Sequence, residues 1–301
     1  MTQNLSNKEI RAVLAMQPPL LLLDTCSLDT DARTATATKC ISMNDPVFQG
    51  HFPGHPILPG VLQVIAMQQT ATVLAKAICP ENAPVALTAL RRVKFRAPVE
   101  PGRFLSIQCK AAESQTDGNC DFEVKCTLDD GSLASSAILT LSQTPLTPVP
   151  ADAQEVSPAN EEQKWLRGAP LLAMLPHRFP FFHLDGVCVA EAPEGPHFGY
   201  KCISSADPFV SDYFPSPIQI EAAAQLGCAS LLSRPENQGK LGFFMSIDEA
   251  HFHHLVVPGD KLFLDIRIEQ RGAFGLASGK LSVRGTPVAD ANIKFALVDK
   301  Q

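Results

Sequence analysis

Residues 44–69 read NDPVFQGHFPGHPILPGVLQVIAMQQ, and this stretch carries most of the information about the fold. An Asp-Pro turn leads into a loop rich in Gly, Pro and His, and a nearly uniform apolar run begins at Gly60. A helix that is apolar almost all round has to be buried rather than lie on a surface. The stretch therefore predicts a turn, a loop and a buried helix over residues 60–78.

The same stretch recurs in altered form later in the chain. ADPFV at 206–210, with the Phe-Pro that follows, parallels NDPVF at 44–48 with its own Phe-Pro. Flanking blocks recur in the same order: LAMQPPLLLLD with LAMLPHRFPFFHLD, and VKFRAPVEPG with AHFHHLVVPG. Three ordered blocks indicate an internal repeat. We therefore predict an N-terminal domain over 1–142, an extended linker rich in Pro, Ala, Glu and Ser over 143–164, and a C-terminal domain over 165–301.

Each copy reads as a short amphipathic helix, a strand that ends at Asp24 or Asp185, a second strand, a buried helix and further strands. The buried helix of the second copy is predicted over 217–232. Alternating apolar and polar residues predict the later strands, and these are placed at 105–110, 122–128, 134–141, 261–270 and 277–284. One buried helix wrapped by an antiparallel sheet is an α+β arrangement.

Composition excludes several classes of protein. The 301 residues are 45% hydrophobic and 19% charged, with a net charge of −6. Such a chain can bury a core, and its acidic balance argues against nucleic acid as a partner. No signal peptide is recognisable, and no run of about 20 apolar residues suggests a membrane span. We expect a soluble cytoplasmic protein without a disulfide framework, because the nine cysteines are scattered and odd in number.

Residues 50–56 (GHFPGHP) and 59–61 (PGV) resemble the active-site region of the 3-hydroxyacyl-[acyl-carrier-protein] dehydratases, the hot-dog-fold enzymes of fatty acid synthesis. The second copy resembles the same family at 175–180 (LPHRFP) and 221–225 (EAAAQ). The resemblance implies a double hot-dog, in which two tandem domains form an intramolecular pseudo-dimer. It also implies dehydration of a 3-hydroxyacyl thioester to the trans-2-enoyl thioester.

In that family a histidine from one hot-dog faces a carboxylate on the buried helix of the other. The resemblance makes His51 the catalytic histidine, while Ile65 stands at the carboxylate position of the first copy. In the second copy Tyr213 replaces the histidine and Glu221 keeps the carboxylate. The losses are complementary, so we expect one composite site with His51 as base and Glu221 as acid, and one degenerate site.

The resemblance also assigns supporting roles. Gly60 is the expected oxyanion donor, since the first N–H groups of a helix are free and lie at its positive end. Substrate contacts are expected from Phe52, Pro59, Val61 and Gln225. No metal or organic cofactor is implied, because phosphopantetheine arrives as part of the substrate. The implied partner is acyl carrier protein or acyl-CoA, and a homo-oligomer of pseudo-dimers is compatible with the family.

Simpler interpretations stand beside these. Glu221 could merely favour the helix dipole, although its apolar neighbours make a buried carboxylate costly without a role. Tyr213 is more typical of a packed tyrosine than of a ligand-binding one. His251, His253 and His254 resemble a metal cluster only superficially, because His251 and His253 would share a strand face but no third ligand has suitable spacing.

Two further questions stay open at the level of sequence. Arg92, Lys94 and Arg96 share a strand face, where they are either solvated charges or a docking patch for an acidic carrier protein. A non-catalytic acyl or carrier-protein binding module and a hot-dog thioesterase are the alternative functions.

Overall fold

A computed structural model of the chain describes residues 2–113, 117–153, 165–188, 197–237 and 240–299. It divides into two compact units. Unit 1 comprises Met1–Phe48 and His55–Leu146, and unit 2 comprises Gln49–Gly54 and Thr147–Gln301. The short segment 49–54 belongs to the first copy in sequence but to the second unit in space. His51 therefore shares unit 2 with Glu221.

Unit 1 is an antiparallel sheet with a long buried helix. Its elements are β1 (Thr2–Leu5), α1 (Asn7–Leu14), β2 (Thr25–Asp29), β3 (Thr34–Cys40), α2 (Gly60–Ile78), β4 (Ala86–Phe95), β5 (Phe104–Ala111), β6 (Asn119–Leu128) and β7 (Leu133–Ser142). The strand order within the unit is β1-β2-β3-β5-β6-β7-β4. Helix α2 packs on this sheet and is buried along most of its length, as its uniform apolar sequence predicts.

Unit 2 repeats the plan. Its elements are α3 (Ala169–Met174), β8 (Gly186–Cys188), β9 (His197–Cys202), α4 (Ser216–Leu232), β10 (Lys240–Phe252), β11 (Lys261–Arg271), β12 (Phe274–Val283) and β13 (Thr286–Asp299). The strand order is β10-β13-β12-β11-β9-β8, with antiparallel neighbours throughout. Helix α4 packs on this sheet as α2 does in unit 1. The predicted α+β class, both buried helices and the five later strands are confirmed.

The two units share individual contacts as well as element order. In each unit an aspartate after the first helix accepts a backbone hydrogen bond from the end of the second strand that follows that helix, and a lysine pairs with the aspartate of the Asp-Pro turn. The contacts are Asp24 with Cys40 N at 2.6 Å, Asp185 with Cys202 N at 2.7 Å, Lys39 with Asp45 at 2.7 Å and Lys201 with Asp207 at 2.8 Å. Such pairwise agreement supports the internal repeat at the level of geometry.

The strands predicted to end at Asp24 and Asp185 are wrong. Each strand begins just after its aspartate, and the apolar residues before it are irregular. The reason is a glutamine of the buried helix, whose side chain satisfies the backbone of that segment. Gln69 accepts a hydrogen bond from Leu22 N at 3.0 Å and donates to Leu20 O at 2.6 Å. These backbone groups are thus paired without a neighbouring strand.

The two buried helices begin at different distances from the shared Phe-Pro. Helix α4 begins directly after Pro215, whereas six residues separate Pro53 from Gly60. Counting from the first residue of each helix, Ile65 and Glu221 are both sixth, and Gln69 and Gln225 are both tenth. The register used to align the copies is therefore consistent with the structure.

Part of the predicted linker is packed on unit 2. Thr147 O accepts a hydrogen bond from Leu255 N at 3.0 Å, and Pro148 forms a parallel bridge with Leu255. Residues 154–164 of the predicted linker lie outside the described residues.

Helix α2 is also long and apolar enough to span a membrane by length and composition, but 78% of that window is buried inside the protein. It is the core helix of unit 1.

Candidate active site

Glu221 is a carboxylic acid inside the core of unit 2. It projects from α4 and only 5% of its surface is exposed. Its Oε1 accepts a hydrogen bond from Gln225 Nε2 at 3.0 Å. Burial raises the pKa of this carboxyl from an ordinary 4.5 to about 7, although the hydrogen bond from Gln225 acts in the opposite direction. A carboxyl with such a pKa can hold a proton near neutral pH and give it up, which is what a general acid requires.

Gln225 fixes this carboxyl to the segment that precedes β8. Besides Glu221, its amide donates to Phe181 O at 3.2 Å and accepts from His183 N at 2.9 Å. In unit 1, Gln69 makes the two equivalent backbone contacts, but its amide nitrogen also lies 3.4 Å from Met16 Sδ, where Ile65 offers no acceptor. Gln225 is buried and fully engaged, so its geometry suits a residue that orients Glu221.

His51 lies in the 49–54 segment and is half-buried. Its ring stacks on Phe52 with centroids 4.0 Å apart and meets the edge of Phe181 at 5.6 Å. Phe52 also contacts the ring of His177, with centroids 4.9 Å apart. The aromatic rings hold the imidazole beside the buried carboxyl while leaving one side accessible, as a base acting on a bound substrate requires.

Gly50 brings the His51 segment close to the loop after α3. Its carbonyl oxygen accepts a hydrogen bond from Arg178 N at 3.0 Å. A Cβ at Gly50 would lie 2.1 Å from Arg178 O and 2.9 Å from Phe181 N. Both are backbone atoms, so only glycine fits this approach.

His177 is a member of the site that sequence reasoning did not predict. It is buried, and its Nε2 lies 3.6 Å from Glu221 Oε1. Its ring centroid is 5.5 Å from that of His51. Burial, with His51 and Arg178 adding to it, lowers the pKa of His177 well below its ordinary 6.5, so the ring is neutral near pH 7. The sequence did contain a signal, since the LPHRFP block supports the family resemblance, but nothing in its spacing pointed to Glu221.

The three groups converge within unit 2. The ligand atoms of His51, His177 and Glu221 all lie within 4.8 Å of one another. This arrangement permits acid–base chemistry on a bound substrate, in which a neutral imidazole takes one proton and a protonated carboxyl gives another. Two imidazoles and a carboxylate are also a donor set that Zn²⁺ can use, so these are the residues that could hold a metal.

Replacing Glu221 with glutamine should stabilise the protein at alkaline pH and leave it nearly unchanged at acidic pH. Because the folded pKa is raised, the native state binds more protons than the unfolded chain between about pH 4.5 and 7, and stability falls as pH rises through that window. At about 1.4 kcal/mol per tenfold change in acidity, the cost above pH 7 is about 3 kcal/mol. Urea unfolding of both proteins at pH 5 and pH 8 measures it. An equal difference at the two pH values would contradict a raised pKa.

Unit 1 holds four further residues that the resemblance selected. Gly60 is the first residue of α2 and Pro59 precedes it, while Val61 and Ile65 are buried on the helix. A Cβ at Gly60 would lie 2.7 Å from the ring of Phe95. The roles of these residues stay predictions.

Tyr213 belongs to unit 2 and is half-buried just before α4. Burial and the neighbouring Asp212 raise the pKa of its hydroxyl. A protonated phenol cannot replace the imidazole as a base near neutral pH.

The single strand face predicted for Arg92, Lys94 and Arg96 is interrupted, because Arg92 has a positive φ of 53° and Arg96 lies just after the end of β4. Arg92, Lys94 and Arg96 are all exposed, with β4 carrying an irregular register between Arg91 and Lys94.

The three histidines of 251–254 have separate partners. His251 pairs with Glu249 at 2.9 Å, His253 pairs with Asp290 at 2.8 Å, and His254 contacts Thr147 O. They do not converge on a common point in the manner of metal ligands.

Solved structures with the same architecture are dehydratase domains. The dehydratase domain of the CurJ module of the curacin polyketide synthase has a TM-score of 0.65 at 15% identity, over 92% of this chain and 96% of that one. The dehydratase domain of the polyketide PpsC from Mycobacterium tuberculosis has a TM-score of 0.62 at 13% identity, over 95% and 100%. At such identities the likeness shows the fold alone, and it confirms the double hot-dog fold.

Sequence comparison gives the family. A model of the ApeI-like family, described as ApeI dehydratase, matches residues 27–137, and the FabA-like domain matches residues 175–292. The 3-hydroxyacyl-[acyl-carrier-protein] dehydratase FabZ of Bacillus licheniformis is 38% identical over 136 residues, which are 42% of this chain and 93% of that protein. The chain belongs to the 3-hydroxyacyl-[acyl-carrier-protein] dehydratase family and is a hydro-lyase.

Proposed function

We propose that the chain dehydrates a 3-hydroxyacyl thioester at one site, in which His51 is the base and Glu221 is the acid. The observation that carries the proposal is the buried Glu221 carboxyl, whose pKa is about 7, close to a half-buried imidazole. Complementary loss supports it too, because Ile65 and Tyr213 cannot supply a second acid–base pair.

The proposed reaction balances with these two groups. His51 takes the proton from C2 of the acyl chain, and the electron pair of that bond forms the C2–C3 double bond. The C3–O bond breaks as Glu221 gives its proton to the leaving hydroxyl, so water departs. His51 is left protonated and Glu221 ionised. Before the next turnover His51 gives up its proton and Glu221 takes one up, which restores both groups. Charge that develops on the thioester oxygen needs a preorganised donor, and the family resemblance assigns this to Gly60 N–H.

We propose an acyl carrier protein as the carrier, with acyl-CoA as the alternative, and a cytoplasmic location. The named relative acts on substrates of the acyl-carrier-protein type, as its name states. Phe52, Pro59 and Val61 are the proposed substrate contacts. The proposed chemistry uses no metal and no organic cofactor.

The test is incubation of the purified chain with a short 3-hydroxyacyl thioester on carrier protein and on coenzyme A, each with and without EDTA. Loss of one water, detected by mass spectrometry and insensitive to EDTA, is expected. Release of free thiol would indicate a thioesterase instead. Binding of both thioesters without turnover would indicate a binding module, and loss of activity in EDTA would indicate a metal at the three-residue cluster.

Reversing the charges of Arg92, Lys94 and Arg96 to glutamate should raise KM for the carrier-protein substrate by about tenfold, while kcat stays unchanged, because local charge steers docking of an acidic partner. KM for the coenzyme A substrate should change much less. The comparison of KM for the two substrates at low and moderate salt measures this.

The matched control reverses Lys110 and Lys125, exposed cations on β5 and β6 of the same unit. If that variant raises KM equally, general charge and not this patch governs docking.

A further inference from the structure

A third buried group faces the acid of the proposed site. His177 Nε2 lies 3.6 Å from Glu221 Oε1, and both side chains are at most 7% exposed. Among the described residues, His177 Nδ1 is buried and makes no hydrogen bond. Glu221 Oε1 is therefore the polar atom that His177 Nε2 faces, with a ring nitrogen of His51 also within 4.8 Å of this cluster.

The position of His177 is set by its neighbour. Arg178 Nη1 donates to Leu175 O and to His177 O, both at 2.6 Å, and these two hydrogen bonds fix the backbone on either side of His177. Arg178 N donates to Gly50 O and ties the same loop to the segment that carries His51. Backbone contacts on both sides thus hold the imidazole where it is.

We infer that His177 is a positioning residue, which donates a hydrogen bond from Nε2–H to the Glu221 carboxylate as this group passes its proton to the leaving hydroxyl. The inference deepens the proposed function and rests on it. His177 touches no reacting atom in this scheme and acts through Glu221.

The hydrogen bonds of the Glu221 carboxyl favour one tautomer of His177. Glu221 Oε1 already accepts from Gln225 Nε2, and a carbonyl oxygen is the better acceptor, so we assign the acid proton to Oε2. A nitrogen that faces Oε1 has to be a donor, which places the hydrogen of His177 on Nε2 and leaves Nδ1 as a bare lone pair. The tautomer with its hydrogen on Nε2 also agrees with the lack of a hydrogen-bond partner at Nδ1, because no N–H donor is then left unpaired there.

The distance between His177 Nε2 and Glu221 Oε1 before substrate binds is consistent with a hydrogen bond that forms during the reaction. At 3.6 Å the contact is longer than a hydrogen bond. When Glu221 becomes a carboxylate, the charge on both oxygens strengthens and shortens hydrogen bonds to it. Catalytic hydrogen bonds are often long before substrate binds. Gln225 and His177 would then stabilise the conjugate base together.

A neutral donor is required here. A protonated His177 would hold Glu221 as a carboxylate and remove the acid. Burial keeps His177 neutral, and the groups around it favour this. The titratable and charged groups that interact with His177 or Glu221 are His51, Arg178, His183 and Cys228. The positive charge of Arg178 opposes protonation of His177.

The test compares His177→Met with His177→Gln, two unbranched side chains of similar length. Glutamine keeps an N–H donor near the place of Nε2, and methionine has none. We expect His177→Met to lower kcat by roughly 10- to 100-fold with KM unchanged, and to move the alkaline limb of the pH profile to higher pH. His177→Gln should recover most of the rate. Equal losses in both variants, with folding retained by circular dichroism, would overturn the inference, and His177→Phe replaces the methionine variant if that one does not fold.

A second measurement separates this inference from the proposed function. Titration of the Glu221 carboxyl by carbon-13 NMR needs no turnover, so it applies even if the chain proves inactive on every thioester. His177→Met should raise the Glu221 pKa by about one unit relative to wild type and to His177→Gln. An unchanged carboxyl pKa would overturn the role of His177 whether or not dehydration is observed.

Discussion

Glu221→Gln is expected to slow dehydration by roughly 100- to 10,000-fold without unfolding the protein. Glutamine keeps the oxygen that accepts from Gln225, so the helix register and the packing are preserved, but it has no proton to give to the leaving hydroxyl. His51→Ala should cause a loss of the same order. Because the two groups act as a unit, the double variant should be little worse than either single one. Single-turnover rates on the same thioester measure all three.

Tyr213→Phe provides the matched control for this prediction. The family resemblance places Tyr213 at the position of His51 in the second copy, and removal of its hydroxyl should leave the rate within about twofold of wild type. If Tyr213→Phe were as damaging as His51→Ala, the site would not be the one proposed. Retention of wild-type activity by Glu221→Gln would likewise remove Glu221 as the acid.

The sequence predicted the elements that local pattern controls. Both buried helices are uniformly apolar, and α2 and α4 begin within one residue of their predicted starts. The resemblance placed Ile65 at the position of Glu221, and the equivalent contacts of Gln69 and Gln225, four residues later in each helix, support that alignment. A residue that makes the same hydrogen bonds in both copies fixes the register.

Contacts between distant segments were not predictable in this way. Strands were expected up to Asp24 and Asp185 because the preceding residues are apolar, but a helix side chain satisfies their backbone. His177 lies 126 positions after His51 and 44 before Glu221 in the chain, and no local periodicity relates these separations. Residues 49–54 lie in unit 2, where Gly50 closely approaches the backbone of Arg178 and Phe181. Nothing in the sequence distinguishes this glycine from the others.

Gly50→Ala should lower kcat by roughly 100-fold, although residue 50 bears no reactive group. The added Cβ would meet Arg178 O at 2.1 Å and Phe181 N at 2.9 Å, so the backbone that holds His177 and the segment that holds His51 have to separate. A misplacement of about 1 Å is enough for such a loss. Overpacking of this kind also costs about 1–3 kcal/mol of stability. Steady-state kinetics and urea unfolding of the variant measure the two effects.

The control is Gly227→Ala, on the same helix as Glu221. There the nearest atom to a new Cβ is Ile266 Cδ1 at 3.6 Å, an ordinary contact. Alanine is the better helix former, so this variant should be as stable as wild type or up to about 1 kcal/mol more stable, with its activity intact. Wild-type turnover by Gly50→Ala would show that the two loops need not touch for catalysis. Equal damage by both variants would mean that this unit tolerates no added methyl group, whatever its place.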